Sequence, residues 1–468
     1  MNGILWSALE RFSTQGIQFV IGLVLARLLS PSDYGMVGML AIFIALSQTF
    51  VDGGFSLALI QKNNCTENDF STVFYFNIII GVVIYGILFI SAPYIERFYD
   101  LPGLASLTKV LGLGIIISSF SLIHRTILTI VVDFKTQANI SLIATLVGGT
   151  VSVLLAYNGF GVWSLVVQSL LIVTINTVLL WFFSRWTPLI LFSKKSFKSL
   201  FSFGSKMLAT SILNTFFKNI ILVVIGKAFS VQELGYYSRA EQFQRFSSEN
   251  ISQIIQRVAF PIMSSVKSDS ERLYRATRQY IRLSMFFVLP LMAGLMILSE
   301  PLIRLLLTEK WLPAVPLLRL LCFTGMLYPI HSININLIIV KGMSSLVFKL
   351  ELIKKSLMII AIILTLPYGI KAMIIGQIVI SFISLFINTY YSGKFINYNL
   401  WQQIKDIIPI LVNTIIMSSI VMAFTQIFDS DIIKLCFGAL ISIALYFCVA
   451  WLFKIEELNK LKELICQK

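Results

Sequence analysis

The chain has 468 residues, of which 57% are hydrophobic and only 13% charged, and it carries a formal net charge of +15. Soluble domains carry about a quarter charged residues, and a soluble fold of this length could not cover so much apolar surface. Composition therefore excludes a soluble enzyme, a fibrous protein, a disulfide scaffold and a disordered chain. It predicts an all-α polytopic membrane protein.

Runs of about 20 apolar residues can each cross a bilayer core of about 30 Å. In chain order they predict about 14 transmembrane helices, at 4–27, 34–60, 70–93, 104–127, 137–157, 160–183, 200–226, 236–260, 281–307, 314–340, 346–367, 370–392, 405–427 and 432–453. The first, seventh, eighth and eleventh are polar for helices that face lipid. The first run lacks a basic leader and a small-residue cleavage site, and Glu10-Arg11 interrupts it, so it reads as a span and not as a signal. Cys65, Cys322, Cys436, Cys448 and Cys466 are scattered with no metal-ligand spacing.

Loop charges set the orientation. One set of alternate loops holds 22 Lys and Arg, the other 8. Cytoplasmic loops carry the excess of bases, so both termini are predicted cytoplasmic. The tail 455–468, with alternating Glu and Lys, reads as an amphipathic cytoplasmic helix. No loop is long enough to house a soluble catalytic domain.

The chain repeats itself. Arg27-Leu-Leu-Ser30-Pro-Ser-Asp33-Tyr-Gly35 is matched 200 residues later by Lys227-Ala-Phe-Ser230-Val-Gln-Glu233-Leu-Gly235. Glu10, Thr14 and Gln18 are matched by Thr210, Asn214 and Lys218, each trio on one helical face. Six helices per copy give the copies the same orientation, related by a pseudo-twofold axis along the membrane normal. The predicted plan is an N-lobe at 1–190, a cytoplasmic linker at 191–199, a C-lobe at 200–395, a helix pair at 400–454 and the tail at 455–468.

Of the 37 Lys and Arg, the seven not counted with the loops lie within spans: Arg11, Lys206, Lys218, Arg239, Arg245, Arg257 and Arg319. Three acids accompany them: Glu10, Glu241 and Glu249. A charge facing lipid near the bilayer centre costs about 2.5–3.5 kcal/mol on insertion scales, so this set belongs in a protein interior. In the eighth span Arg239, Gln242, Arg245, Glu249, Ser252, Gln253, Gln256 and Arg257 share one arc, with Phe243, Ile251, Ile254, Ile255 and Val258 opposite. Arg245 and Glu249 alone read equally as a structural ion pair at i, i+4. The surplus of bases points to a central cavity for a polyanionic group, because guanidinium binds phosphate in a fork and ammonium acts as a point charge.

Leu28-Leu-Ser-Pro-Ser-Asp-Tyr-Gly35 followed by Val51-Asp-Gly-Gly-Phe-Ser-Leu-Ala-Leu-Ile-Gln61 resembles the polysaccharide-transport flippases of the multidrug/oligosaccharidyl-lipid/polysaccharide exporter superfamily. Ala259-Phe-Pro-Ile-Met-Ser264 is similar to that family's proline motif, and Leu306-Leu-Thr-Glu-Lys-Trp-Leu-Pro-Ala314 to its tryptophan segment. The resemblance implies two six-helix lobes in a V plus two further helices, as in the multidrug-and-toxin exporters. It implies a bacterial inner-membrane flippase that moves an undecaprenyl-pyrophosphate-linked oligosaccharide to the outer leaflet, upstream of polysaccharide polymerase machinery. It also raises coupling to H⁺ or Na⁺, for which Glu10, Glu241 and Glu249 are the candidate carboxylates.

Alternatives within the superfamily are a lipid II-type flippase and a multidrug exporter; the latter predicts twelve helices and an acidic or neutral cavity. A membrane-embedded glycan polymerase would need a large outer loop, which the chain lacks. No catalytic motif, resident cofactor, metal site or nucleic-acid partner is predicted. Asp429-Ser-Asp431 reads as a turn, His124 and His331 as hydrogen-bonded core positions, and the sequon Asn64-Cys-Thr66 as meaningless on a cytoplasmic loop.

Overall fold

The structure, a computed structural model, describes residues 2–62 and 65–458, with the side chains of residues 2–13 and 203 outside the description. The predicted tail beyond 458, Cys466, Asn64 of the sequon and the side chains of Glu10 and Arg11 lie outside the described residues.

Seventeen α-helices and no strand occur among the described residues. They are α1 (Asn2–Leu28), α2 (Pro31–Asp52), α3 (Phe55–Gln61), α4 (Glu67–Tyr99), α5 (Leu104–Ser119), α6 (Leu122–Ile130), α7 (Phe134–Tyr157), α8 (Trp163–Ser184), α9 (Lys194–Ala228), α10 (Val231–Ser265), α11 (Ser270–Ile297), α12 (Ser299–Leu307), α13 (Ala314–Val340), α14 (Ser344–Thr365), α15 (Ile370–Ile396), α16 (Leu400–Ile427) and α17 (Asp431–Leu452). Each predicted span falls on one helix or on a broken pair. Among the described residues ten helices are long and apolar enough to cross a membrane, or eleven if the α5–α6 pair, bent by 43°, is one span. Three of the spans read as polar, α1, α10 and α14, are not among them. The described apolar part of α1 is only Thr14–Leu28, and α10 and α14 carry several charges each.

Three predicted spans break where the backbone demands it. Gly53 and Gly54 have φ of +54° and +71° and separate α2 from α3. This left-handed conformation favours glycine because it carries no Cβ. A Cβ on Gly54 would lie 2.5 Å from the Gly204 carbonyl oxygen, so the pair also admits α9 at close range. The other breaks fall at Phe120-Ser121, between α5 and α6, and at Leu298, between α11 and α12.

The repeated motif has a local physical cause. At the start of α2, Ser30 and Asp33 exchange bonds: Ser30 N donates to Asp33 Oδ2 at 2.8 Å, and Asp33 N donates to Ser30 Oγ at 3.3 Å. Ser230 and Glu233 do the same before α10, at 3.0 and 3.2 Å. Both are capping boxes, each satisfying two backbone donors that a helix start leaves open. Arg27 and Lys227 end the preceding helices, where a cation meets the negative end of the helix dipole.

The chain packs as two compact units, Met1–Gly235 and Tyr236–Lys468. In the first, α7 packs on α1 and α8, α5 packs on α4 and α8, and α9 packs on α2, α3 and α4. Phe55, Leu59, Val73, Phe74, Ile123 and Leu200 form one of its cores. In the second, α11 packs on α13 and α16, and α15 packs on α13 and α14. Its core runs through Ile281, Phe286, Ile333, Met417 and Tyr446. Tyr446 fixes α17 by donating to the Phe286 carbonyl at 2.7 Å and accepting at its own carbonyl from Asn413 at 3.1 Å.

Candidate functional site

Helix α10 carries the densest polar sequence of any long helix, and its burial corrects one expectation. Phe243 is buried as predicted, but Ile254 and Val258, expected to pack inward, are exposed, while Gln244, Ser248 and Ser252 are buried. Ser252 was expected on the wet face and is fully enclosed. Small hydroxyl residues let helices approach and bond, so they take the packed positions. Gln244 donates to Ser248 at 2.7 Å, and Ser252 donates to the Ser248 carbonyl at 2.8 Å.

Arg245 is flanked by both predicted partners. Its guanidinium lies 2.8 Å from Glu241 and 3.8 Å from Glu249, with the three side chains 19–30% exposed. The nearer partner is Glu241, one turn before the predicted pair. Arg239 is buried; it donates to Gln242 and lies 5.9 Å from the ring centroid of Trp311, a cation–π distance. Trp311 belongs to the tryptophan segment. The segment turns at Thr308, φ +83°, through a 3-10 turn at Glu309–Trp311, and drives the Trp311 indole fully into the core.

Arg319 meets an acid from outside the predicted set: Glu300 lies at 3.4 Å, and the Ser299 hydroxyl accepts from Arg319 Nε at 3.0 Å. Lys206 and Lys218 on α9 and Arg257 on α10 are exposed. None of those three makes an ion pair among the described residues. Of the seven predicted bases, then, Arg245 and Arg319 are matched by acids, Arg239 is held by an amide and a ring, and Lys206, Lys218 and Arg257 keep their charge unmatched. Arg11 and Glu10 fall where side chains are not described.

Other polar groups that the sequence left unassigned are joined into networks. In the second unit, His331 bonds Ser381 at 2.9 Å and Asn388 at 3.3 Å, and Asn388 accepts from Lys354 at 3.5 Å. Asn334 bonds Gln403 at 3.0 Å and accepts from Ser392. On the side predicted to be cytoplasmic, Arg278 clasps Asp406 through two bonds of 2.7 and 2.8 Å, and Tyr398 donates to the same carboxylate at 2.8 Å. Burial, followed by the Asp406 charge, pushes the Tyr398 hydroxyl pKa up, so it stays protonated as the donor. Arg282, nearly enclosed, meets Glu457 and Glu456. In the first unit, His124 Nδ1 bonds Ser184 at 2.6 Å beside Trp181 and Trp186, as a core histidine should. Asp431, part of the turn read from Asp429-Ser-Asp431, starts α17 and pairs with Arg304 at 3.3 Å.

The first unit also holds a cavity of 810 Å³, lined from α2, α3, α5, α6, α8 and α9. Gln48, Asp52, Ser118, Arg125 and Asn176 are among its polar walls. The sequence alone does not mark it: Asp52 stands beside two glycines in the second resemblance motif, and Arg125 lies near the end of a predicted span. The available signal was polar side chains, Gln48 and Asn176, within otherwise apolar runs.

Comparison with known proteins adds the decisive observation. Residues 24–316, well over half the chain, match the family described as polysaccharide biosynthesis protein. The chain belongs to that family. It is 26% identical over 350 residues to the teichuronic acid biosynthesis protein TuaB of Bacillus subtilis (strain 168), covering 74% of this chain and 72% of that one. It is 27% identical over 370 residues to the lipopolysaccharide biosynthesis protein WzxC of Escherichia coli (strain K12), covering 78% and 74%. Among solved structures it is similar to the lipid II flippase MurJ in an inward closed conformation, with TM-score 0.80, 18% identity and coverage of 96% and 98%. An inward-facing multidrug resistance MATE transporter of the MOP superfamily matches with TM-score 0.64, 15% identity and coverage of 83% and 98%. The family resemblance read from the turn, proline and tryptophan motifs is therefore borne out, and the fold is that of the MOP-type exporters. The protein is a multi-pass membrane protein of polysaccharide biosynthesis.

Proposed function

We propose that this chain is a flippase that carries an undecaprenyl-pyrophosphate-linked oligosaccharide from the cytoplasmic to the outer leaflet of a bacterial inner membrane. The observation that carries the reading is unmatched positive charge on a helix able to cross the membrane, Lys206 and Lys218 on α9, in a chain of the polysaccharide biosynthesis family. A pyrophosphate brings the negative charge that these groups lack. Arg245, held between two carboxylates, is the group whose partners change when the cargo arrives: substrate oxygens compete with Glu241 and Glu249 for its donors.

In this reading lobes at 1–190 and 200–395 rock about the cargo, with both termini cytoplasmic. A released carboxylate of Glu241 or Glu249 takes up H⁺ or Na⁺. The polyprenyl chain stays in the bilayer. An apolar groove of 380 Å³ in the second unit, lined by Phe286, Pro290, Leu298, Leu435 and Phe447, offers it a surface. Structural likeness to a lipid II flippase bears on the fold and leaves the glycan open.

The test is translocation by the purified chain in vesicles. A lipid-linked oligosaccharide in the inner leaflet should become accessible to a membrane-impermeant oxidant, and a lipophilic drug cation should not be moved. Drug movement without lipid-linked sugar movement would overturn the reading.

A further inference from the structure

We infer that the 810 Å³ cavity of the first unit is a sugar subsite: it takes the saccharide part of the lipid-linked cargo while the pyrophosphate is held elsewhere. The inference rests on the flippase reading and names a second contact point for the same substrate. The volume falls within the range of about 300–1,000 Å³ that small-molecule sites occupy.

The wall chemistry selects the ligand. Gln48 is fixed at both ends: its Oε1 accepts from Ser118 at 2.9 Å, and its Nε2 donates to Asp52 Oδ1 at 3.2 Å. That leaves the second carboxylate oxygen of Asp52, a lining residue, as an acceptor for hydroxyl protons. Arg125, whose guanidinium makes no ion pair among the described residues, supplies donors. Asn176 spends its amide N–H on the Ile172 carbonyl at 2.8 Å, while its buried Oδ1 has no protein partner. The buried Ser56 hydroxyl is likewise unpartnered. A buried polar atom without a partner is rare in a folded protein and calls for an explanation.

The set combines acceptors and donors with one acid balanced against one base. A free anion would be repelled by Asp52, a cation by Arg125, and a hydrocarbon chain would strip water from every one of these groups without replacing it. A neutral ring bearing several hydroxyls, each both donor and acceptor, satisfies them all. Ile172, Val173 and Leu122 supply apolar wall for the C–H faces of the ring.

The test measures equilibrium binding of two probes to the purified full-length chain: undecaprenyl pyrophosphate alone, and the same carrier bearing a disaccharide. The disaccharide should tighten binding by about tenfold or more, the worth of one charge-assisted hydrogen bond. The near-isosteric Asp52→Asn, and separately Arg125→Gln, should each bring the glycosylated probe down towards the affinity of the bare one. A fold defect would weaken both probes together and so leave their ratio in place. An unchanged ratio in both variants, whether affinities hold or fall in parallel, overturns the inference. A wild type that binds both probes equally overturns it while the flippase reading stands. A wild type that binds neither sinks both.

Discussion

Gly35 sits against the backbone carbonyl of Val231, and Gly235 against that of Pro31; a Cβ on either glycine would lie 1.9 Å from the opposing oxygen. The pairing is reciprocal across the sequence repeat, since position 31 answers to 231 and 35 to 235. Reciprocity of this kind is what a local twofold produces. The two capping boxes place these turns identically, and the two glycines let their backbones touch.

Gly35→Ala should therefore force the two turns apart, and Gly235→Ala should do the same. Each is expected to cost about 1–3 kcal/mol, as overpacking of a close contact does. The check is the thermal midpoint of the detergent-solubilised protein. Equal losses from the two single changes are expected, and the double change should cost less than their sum because they disrupt one contact.

Arg282 and Glu457 are 8% and 3% exposed and joined by ion pairing. Glu457→Gln leaves a buried guanidinium with the exposed Glu456 at 3.0 Å and, at 3.9 Å, Asp406, whose oxygens are already taken by Arg278 and Tyr398. A loss of about 3–5 kcal/mol is expected for breaking such a pair, with most of it recovered in the double variant Arg282→Met, Glu457→Leu. Chemical denaturation in mixed micelles measures both.

Tyr446→Phe removes one hydroxyl that donates to the Phe286 carbonyl at 2.7 Å. About 1 kcal/mol is expected, since the ring remains packed and only the bond is lost. A drop several times larger would mean that α17 is held chiefly by this bond and not by its apolar face.

How far the sequence could be read follows from which forces act over short stretches. The span limits were legible because a hydrocarbon core demands long apolar runs: 314–340 coincides with α13, and 137–157 and 432–453 lie within a few residues of α7 and α17. The Ser30–Asp33 and Ser230–Glu233 repeat was legible because capping is a three-residue affair. Which face of α10 packs was not, because Ser248 and Ser252 take the packed positions while Ile254 and Val258 stay exposed, so apolarity stops marking the interior. The acid beside Arg319 was also hidden, for Glu300 is nineteen positions away on α12, and the turn from Thr308 to Pro313 lies between it and Arg319 on α13. The cavity at Asp52 and Arg125 needed six helices to be placed together, and no single stretch of sequence carries that information.

The central claim is that basic side chains within the long helices carry the cargo's pyrophosphate. Its most direct test is the initial rate at which vesicles holding the purified chain expose a lipid-linked oligosaccharide, compared between wild type, Lys218→Gln and Arg245→Gln. Losing one charge-assisted phosphate contact should slow transport by about tenfold or more in each variant, with the thermal midpoint of Lys218→Gln unchanged because that side chain is exposed. Wild-type rates in both variants would contradict the account.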